Sequence, residues 1–166
     1  MMRRAATRRE TATMEYSYLV NRISGGIGAD DRYWQSLEEG KFQLPRCSGC
    51  RQWTWPAHWR CGVCGSWEFD WVDVEPVGNV YAWTRTMMVF DQVRERADQV
   101  PYVVALVDVD DTGDTKVLGV LKGSEIGLRV GARVQGSIDP PSDVTKGYAA
   151  IRWTIDGAYE PTGTQA

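Results

Sequence analysis

Histidine is almost missing from this chain: His58 is the only one in 166 residues. Acyl transfer, condensation and retro-aldol cleavage ordinarily need a positioned base, often histidine, or a nucleophilic cysteine, so little is left here for a self-contained site of that kind. Cysteine is absent everywhere except between positions 47 and 64. No run approaches the roughly 20 apolar residues of a membrane-spanning helix. The first dozen residues hold arginine, threonine and alanine without the apolar stretch of a secretory signal. They share some composition with transit peptides, but read as a solvated tail or an arm laid on a partner. These features place the chain in the cytoplasm, where thiols stay reduced. A surplus of positive charge is missing too. Residues 1–22 carry five arginines against two glutamates, a surplus of three, so the net −3 of the chain leaves −6 on the remainder. An acidic body argues against binding nucleic acid through its phosphates.

What is present centres on two Cys-x-x-Cys pairs, Cys47-Ser48-Gly49-Cys50 and Cys61-Gly62-Val63-Cys64. Two residues between cysteines let a tight turn aim both sulfurs at one point, and two such turns face to face complete a tetrahedron. Gly49, Gly62 and Gly65 suit such turns. The spacing predicts a structural Zn2+ held by Cys47, Cys50, Cys61 and Cys64, with all four corners filled by protein and no open catalytic position. Iron of the rubredoxin type would use the same ligands. A pair of disulfides would call for an export signal, and a thioredoxin-like redox pair for a single Cys-x-x-Cys at a helix start.

Around this module the chain reads as mainly β. Residues 1–29 form an irregular N-terminal arm, with Tyr16, Tyr18, Leu19 and Val20 able to anchor it. Residues 30–75 hold a short helix, capped by Asp30 or Asp31 and stopped by Gly40, then the ribbon with a brief strand at Phe42–Leu44 and another over Trp67–Val74. Pro76-Val77-Gly78-Asn79 is a turn and the expected joint. Residues 76–156 read as five strands: Val80–Met88, Tyr102–Val109, Thr115–Lys122, Val130–Gly136 and Tyr148–Ile155, with Asp91–Gln99 a charged loop or helical turn. Five short strands without a long helix fit a small closed barrel, of which the OB-fold is the commonest. Gly131 would let one strand bend sharply. Residues 157–166 are a polar tail.

Seven of the eight tryptophans, Trp34, Trp53, Trp55, Trp59, Trp67, Trp71 and Trp83, lie in or near the cysteine module. They either cover a small metal module or make a ligand or partner surface. Trp53, Trp55 and Trp59 beside Pro56 are the candidates for a protein partner, and His58 reads as a solvated or interface residue. Asp108-Val109-Asp110-Asp111-Thr112-Gly113 begins like a calcium loop, yet its twelfth position is Gly119 where a bidentate glutamate is required, so it reads as a hairpin turn. Gly123-Ser124-Glu125-Ile126-Gly127 is too short for a phosphate loop. Arg85, Lys122, Arg129 and Arg133 lie on or beside predicted strands, and are the candidate cations for the phosphates of a CoA thioester. Each also reads as a solvated strand residue.

Taken together, the chain resembles the rubredoxin-like zinc ribbon plus OB-fold family, long catalogued as a domain of unknown function. The resemblance runs from about Asp31 to Ile155. It is carried by Tyr33-Trp34-Gln35-Ser36-Leu37-Glu38-Glu39-Gly40-Lys41, Leu44-Pro45-Arg46-Cys47-Ser48-Gly49-Cys50, Cys61-Gly62-Val63-Cys64-Gly65-Ser66, Gly78-Asn79-Val80-Tyr81-Ala82-Trp83-Thr84, Pro101-Tyr102-Val103-Val104-Ala105-Leu106-Val107, and Leu128 to Val134. Arg51 stands where the family usually has glycine, and Trp55-Pro56-Ala57-His58 where its loop is often Pro-Pro-Arg. The resemblance implies a non-catalytic accessory subunit that pairs with a thiolase-like protein, a lipid-transfer-protein-type aldolase or thiolase. Such enzymes make or cleave a C–C bond in an acyl-CoA, including steroid side-chain thioesters. It further implies two copies of each subunit and a barrel that contacts the CoA thioester. The rival reading is a single-stranded nucleic-acid-binding OB and zinc-ribbon protein, since both modules occur in that role.

Overall fold

The computed structural model describes residues 28–157 apart from 144 and 146; the expected arm and tail lie almost wholly outside the described residues. Helix α1 (Asp31–Glu38) buries Tyr33, Ser36 and Leu37 on one face. It ends on Gly40 at φ +74°, with the Gly40 and Lys41 amides bonded back to the carbonyls of Leu37 and Ser36. This pair of bonds is the Schellman arrangement that glycine favours. Asp30 occupies the N-cap position, but its carboxylate accepts from the Trp34 indole at 2.9 Å and makes no capping bond.

Strands β1 (Gln43–Cys47) and β2 (Phe69–Asp73) pair antiparallel as a two-stranded ribbon. Three residues later the chain enters the barrel. Strands β3 (Val77–Thr86), β4 (Tyr102–Val109), β5 (Lys116–Leu121), β6 (Arg133–Asp139) and β7 (Ala150–Ile155) close in the order β3-β4-β5-β7-β6, antiparallel throughout except for β5 against β7. Strict alternation in β4 turns Val103, Ala105, Val107 and Val109 inward, as period-two apolar patterning requires. A bulge between Val80 and Ala82 accommodates Tyr81 as an extra residue in β3. Residues 91–99 form a 3-10 helix.

The expected strand at Val130–Gly136 is displaced. Gly131 adopts φ +82°, and its amide and that of Ala132 are used in a turn closed on Val80 and Arg129, so β6 starts only at Arg133. The glycine ends a turn here and does not bend a strand. The Asp108–Gly113 run is a hairpin turn, with Asp111 and Gly113 at positive φ and the Thr112 and Thr115 hydroxyls bonded to the Val109 and Thr112 carbonyls.

Trp153 is wholly buried inside the barrel. A Cβ on Gly119 would lie 2.6 Å from its Nε1, and one on Gly136 would lie 2.8 Å from its Cζ3. The indole therefore sits between two positions that only glycine can occupy. Phe42, at the foot of the ribbon, meets Trp153 edge to face with centroids 6.3 Å apart, and meets Tyr33 of α1 at 6.2 Å. Helix, ribbon and barrel share one contiguous apolar cluster running from Leu37 through Leu44 to Ile155.

Candidate metal centre

Cys47 is the last residue of β1 and Cys50 follows it in a tight turn; Cys61 and Cys64 repeat the geometry. In each knuckle the residue after the second cysteine donates its amide to the first cysteine's carbonyl, Arg51 to Cys47 and Gly65 to Cys61, both at 2.9 Å. That closing residue must adopt positive φ. Gly65 does so without cost, whereas Arg51 is held at φ +64° with a full side chain. Its guanidinium bonds Asp70 on β2 at 2.5 Å, its carbonyl accepts from Arg46 Nε, and Ser48 bonds the same Asp70. Asp70 is accordingly held below the ordinary carboxylate range, by Arg51 first and Ser48 second.

The four sulfurs all lie within 4.8 Å of one another, with Cys47 to Cys64 at 3.5 Å and Cys50 to Cys61 at 3.6 Å. No disulfide joins them. A tetrahedron with metal–sulfur bonds of about 2.3 Å has edges of roughly 3.8 Å, so the set fits a tetrahedral thiophilic ion. The backbone supports the anions. The Cys50 amide, with that of Gly49, lowers the Cys47 thiol to about 6, and the amides of Cys64 and Val63 lower Cys61. Cys50 is pushed up to about 12: the Gln52 amide lowers it, but burial and the other three sulfurs outweigh that. Four thiols crowded together resist full deprotonation until a cation replaces their protons.

The tryptophans divide between core and surface. Trp55 rests on Tyr33 with centroids 4.3 Å apart, and Trp53 lies under the Arg46 guanidinium at 5.1 Å, both half-buried. These two, expected to face a partner, also make contacts within their own chain, Trp55 with the helix and Trp53 within the ribbon. Trp59 and Trp67 stay exposed, as does His58.

The four candidate cations sit on the barrel surface, and three of them pair with three different acidic residues. Arg85 on β3 pairs with Glu125. Lys122, just after β5, bonds Asp139 at 2.8 Å, which also accepts from Arg152. Arg133 on β6 makes a bidentate pair with Asp110. Arg129 is exposed, with no ion pair to another described residue. Arg133 holds Asp110 low; Asp139 is also low, because Lys122 and then Arg152 overcome the upward push of its burial.

An exposed apolar surface adds to the features that the sequence suggests. Met87, Met88 and Phe90, between β3 and the 3-10 helix, are each about two-thirds exposed, as are Ile126 and Val130 before β6. Three large apolar residues within four positions, between a strand and a charged stretch, are the sequence signal for it. Contiguous exposed apolar groups of this kind mark interaction surfaces.

This arrangement defines a class: a short helix and a four-thiolate ribbon packed on a closed five-stranded barrel. Residues 71–139 match the family model described as ChsH2, C-terminal OB-fold domain. It is 29% identical over 108 residues to a probable enoyl-CoA hydratase alpha subunit of Thermomonospora curvata, covering 63% of this chain and 33% of the relative. The chain thus spans a third of that relative's length. The fold is similar to a chain of an Ltp2-ChsH2(DUF35) aldolase, with TM-score 0.67, 20% identity, and coverage of 81% of this chain and 98% of that one. A DUF35-family protein of unknown function from Sulfolobus solfataricus gives TM-score 0.53 at 18% identity, covering 84% of this chain and 94% of that one. No helix among the described residues is long and apolar enough to cross a membrane.

Proposed function

We propose that this chain is the non-catalytic partner of a thiolase-superfamily enzyme, an aldolase of the lipid-transfer-protein type or a thiolase, acting on a bulky acyl-CoA such as a steroid side-chain thioester. The observation that carries the reading is the ChsH2-type match over residues 71–139, together with a fold that spans 98% of the chain from the Ltp2-ChsH2 aldolase. The exposed Met87, Met88 and Phe90 supply an apolar surface for the enzyme subunit. Cys47, Cys50, Cys61 and Cys64 hold a structural Zn2+ that shapes the ribbon and takes no part in chemistry. The complex works in the cytoplasm with two copies of each subunit. The domain division at residues 75/76 is a functional one: helix and ribbon on one side, barrel on the other.

CoA contact is assigned to Arg85, Lys122, Arg129 and Arg133. Arg129 is the foremost of these, since a phosphate at the other three must displace Glu125, Asp139 or Asp110. Co-expression with a thiolase-superfamily enzyme encoded beside it should yield a stable complex with C–C lyase or thiolase activity, while this chain alone turns over no acyl-CoA. Failure of the two chains to co-purify refutes the assignment. Binding of single-stranded oligonucleotide at low salt, in place of the enzyme, would establish the rival reading.

A further inference from the structure

We infer that the metal site controls the fold of the barrel as well as that of the ribbon, so that zinc occupancy and barrel stability are one linked equilibrium. The inference rests on the zinc reading above and adds a consequence to it.

Two routes lead from the knuckles into the barrel, both short. Along the first, Cys47 ends β1, whose Leu44 is completely buried, and the residue just before β1 is Phe42. The Phe42 ring lies against Trp153, the largest buried side chain of the barrel. Along the second, the Phe42 carbonyl accepts from Val74, which follows β2, and only Glu75 and Pro76 separate Val74 from β3. The Pro76 carbonyl accepts from the Gly136 amide, and Pro76 Cβ occupies the space a side chain on Gly136 would need. Phe42 and Pro76 thus reach the same wall, where β6 and β7 hold Trp153.

What holds β1 and β2 in place is weak without an ion. Five pairs in a two-stranded sheet are marginal on their own. Few backbone bonds outside the β1–β2 ladder join the second knuckle to the first among the described residues: Ser48 donates to Glu68, whereas the isolated bridge of Arg46 with Trp53 only closes the first knuckle's own loop. An ion bound by four thiolates from both knuckles closes those loops, and its binding free energy becomes folding free energy for everything packed on them. Because Phe42 and Trp153 belong to one cluster, that everything includes the barrel wall. Linkage is reciprocal: if zinc stabilises the packing, the packing raises zinc affinity by the same factor.

The buried Trp153 Nε1 has no hydrogen-bond partner among the described residues, which makes its proton a reporter of the barrel interior distinct from the other seven indoles. The experiment is hydrogen exchange by nuclear magnetic resonance on the full chain, zinc-loaded and after chelation, with Trp153→Phe used to assign the indole signal. Chelation is expected to raise exchange at Trp153 Nε1 and at the β6 and β7 amides at least tenfold, together with the ribbon amides. The second arm measures zinc affinity by chelator competition. Phe42→Leu, chosen because Phe42→Ala risks failing to fold, should weaken zinc binding at least threefold, while Leu118→Ala on the exposed barrel surface leaves it within twofold. Barrel protection unchanged by chelation, or zinc affinity unchanged in Phe42→Leu, overturns the linkage while leaving the zinc site standing. A wild-type chain that binds no zinc overturns both.

Discussion

The contact between Gly119 and Trp153 gives the sharpest test of how the barrel is packed. In Gly119→Ala the new methyl would meet Trp153 Nε1 at 2.6 Å, Cδ1 at 2.7 Å and the Ile151 carbonyl at 3.0 Å. All three distances are at or inside the closest approach that a real Cβ tolerates. The indole cannot retreat, because a Cβ on the other side, at Gly136, would already lie 2.8 Å from Cζ3, and the Phe42 ring closes the third side. The carbonyl belongs to β7 and is fixed by the ladder. Overpacking a rigid core costs about 1–3 kcal/mol, and the absence of an escape route puts this variant near 3. At about 2–4 °C per kcal/mol, the melting temperature should fall by roughly 10 °C. Trp153→Phe supplies the control: it makes room beside Gly119 and removes an indole N–H left without a partner, but opens a void. Urea unfolding followed by far-ultraviolet circular dichroism should therefore give a double variant more stable than the sum of the singles, by at least about 1 kcal/mol. A Gly119→Ala protein as stable as wild type, or strictly additive variants, would show that the barrel does not pack around the indole in this way.

Other outcomes follow from the same geometry. Cys50→Ser should abolish stoichiometric zinc measured by elemental analysis, since three thiolates and a hydroxyl make a poor substitute for the four-sulfur set; full zinc retention would refute the ligand assignment. Arg51→Gly should be at least as stable as wild type, because relief at φ +64° offsets the exposed Asp70 pair, whereas Arg51→Val should lose about 1–2 kcal/mol by thermal melts. Equal melting of the two variants would remove backbone strain as the cause. Asp139 and Asp110 have folded pKa values below their unfolded ones, so their contribution is present above about pH 4 and is lost as pH falls through the folded values. Asp139→Asn should accordingly lower stability at pH 7 and narrow the difference from wild type below about pH 3; a constant difference across that range would contradict it.

Much of the architecture is legible in the amino-acid sequence. The four cysteines announce their site because ligand spacing within a knuckle is local, and a few residues of backbone decide where each sulfur points. Helix α1 and strand β4 are equally legible, since their periodicity lies within eight residues each. The start of strand β6 is not, for a local reason that sequence leaves ambiguous: Gly131 suits a bent strand and a left-handed turn alike, and a bond to Val80, about fifty residues away, selects the turn.

The chain alone also determines that histidine is reduced to His58 and that all four cysteines fall between positions 47 and 64, because composition needs no coordinates. Tertiary structure alone decides how the aromatic and charged residues are spent. Trp55 is taken by Tyr33 and Trp53 by Arg46, while Arg85, Lys122 and Arg133 are taken by Glu125, Asp139 and Asp110. Gly119, which in sequence only spoils a calcium loop, is in the barrel a place where Trp153 needs room. The physical reason is common to all of these. A metal knuckle or an amphipathic period is a property of neighbours along the chain, whereas burial and ion pairing join residues that only the closed barrel and its packed ribbon bring together.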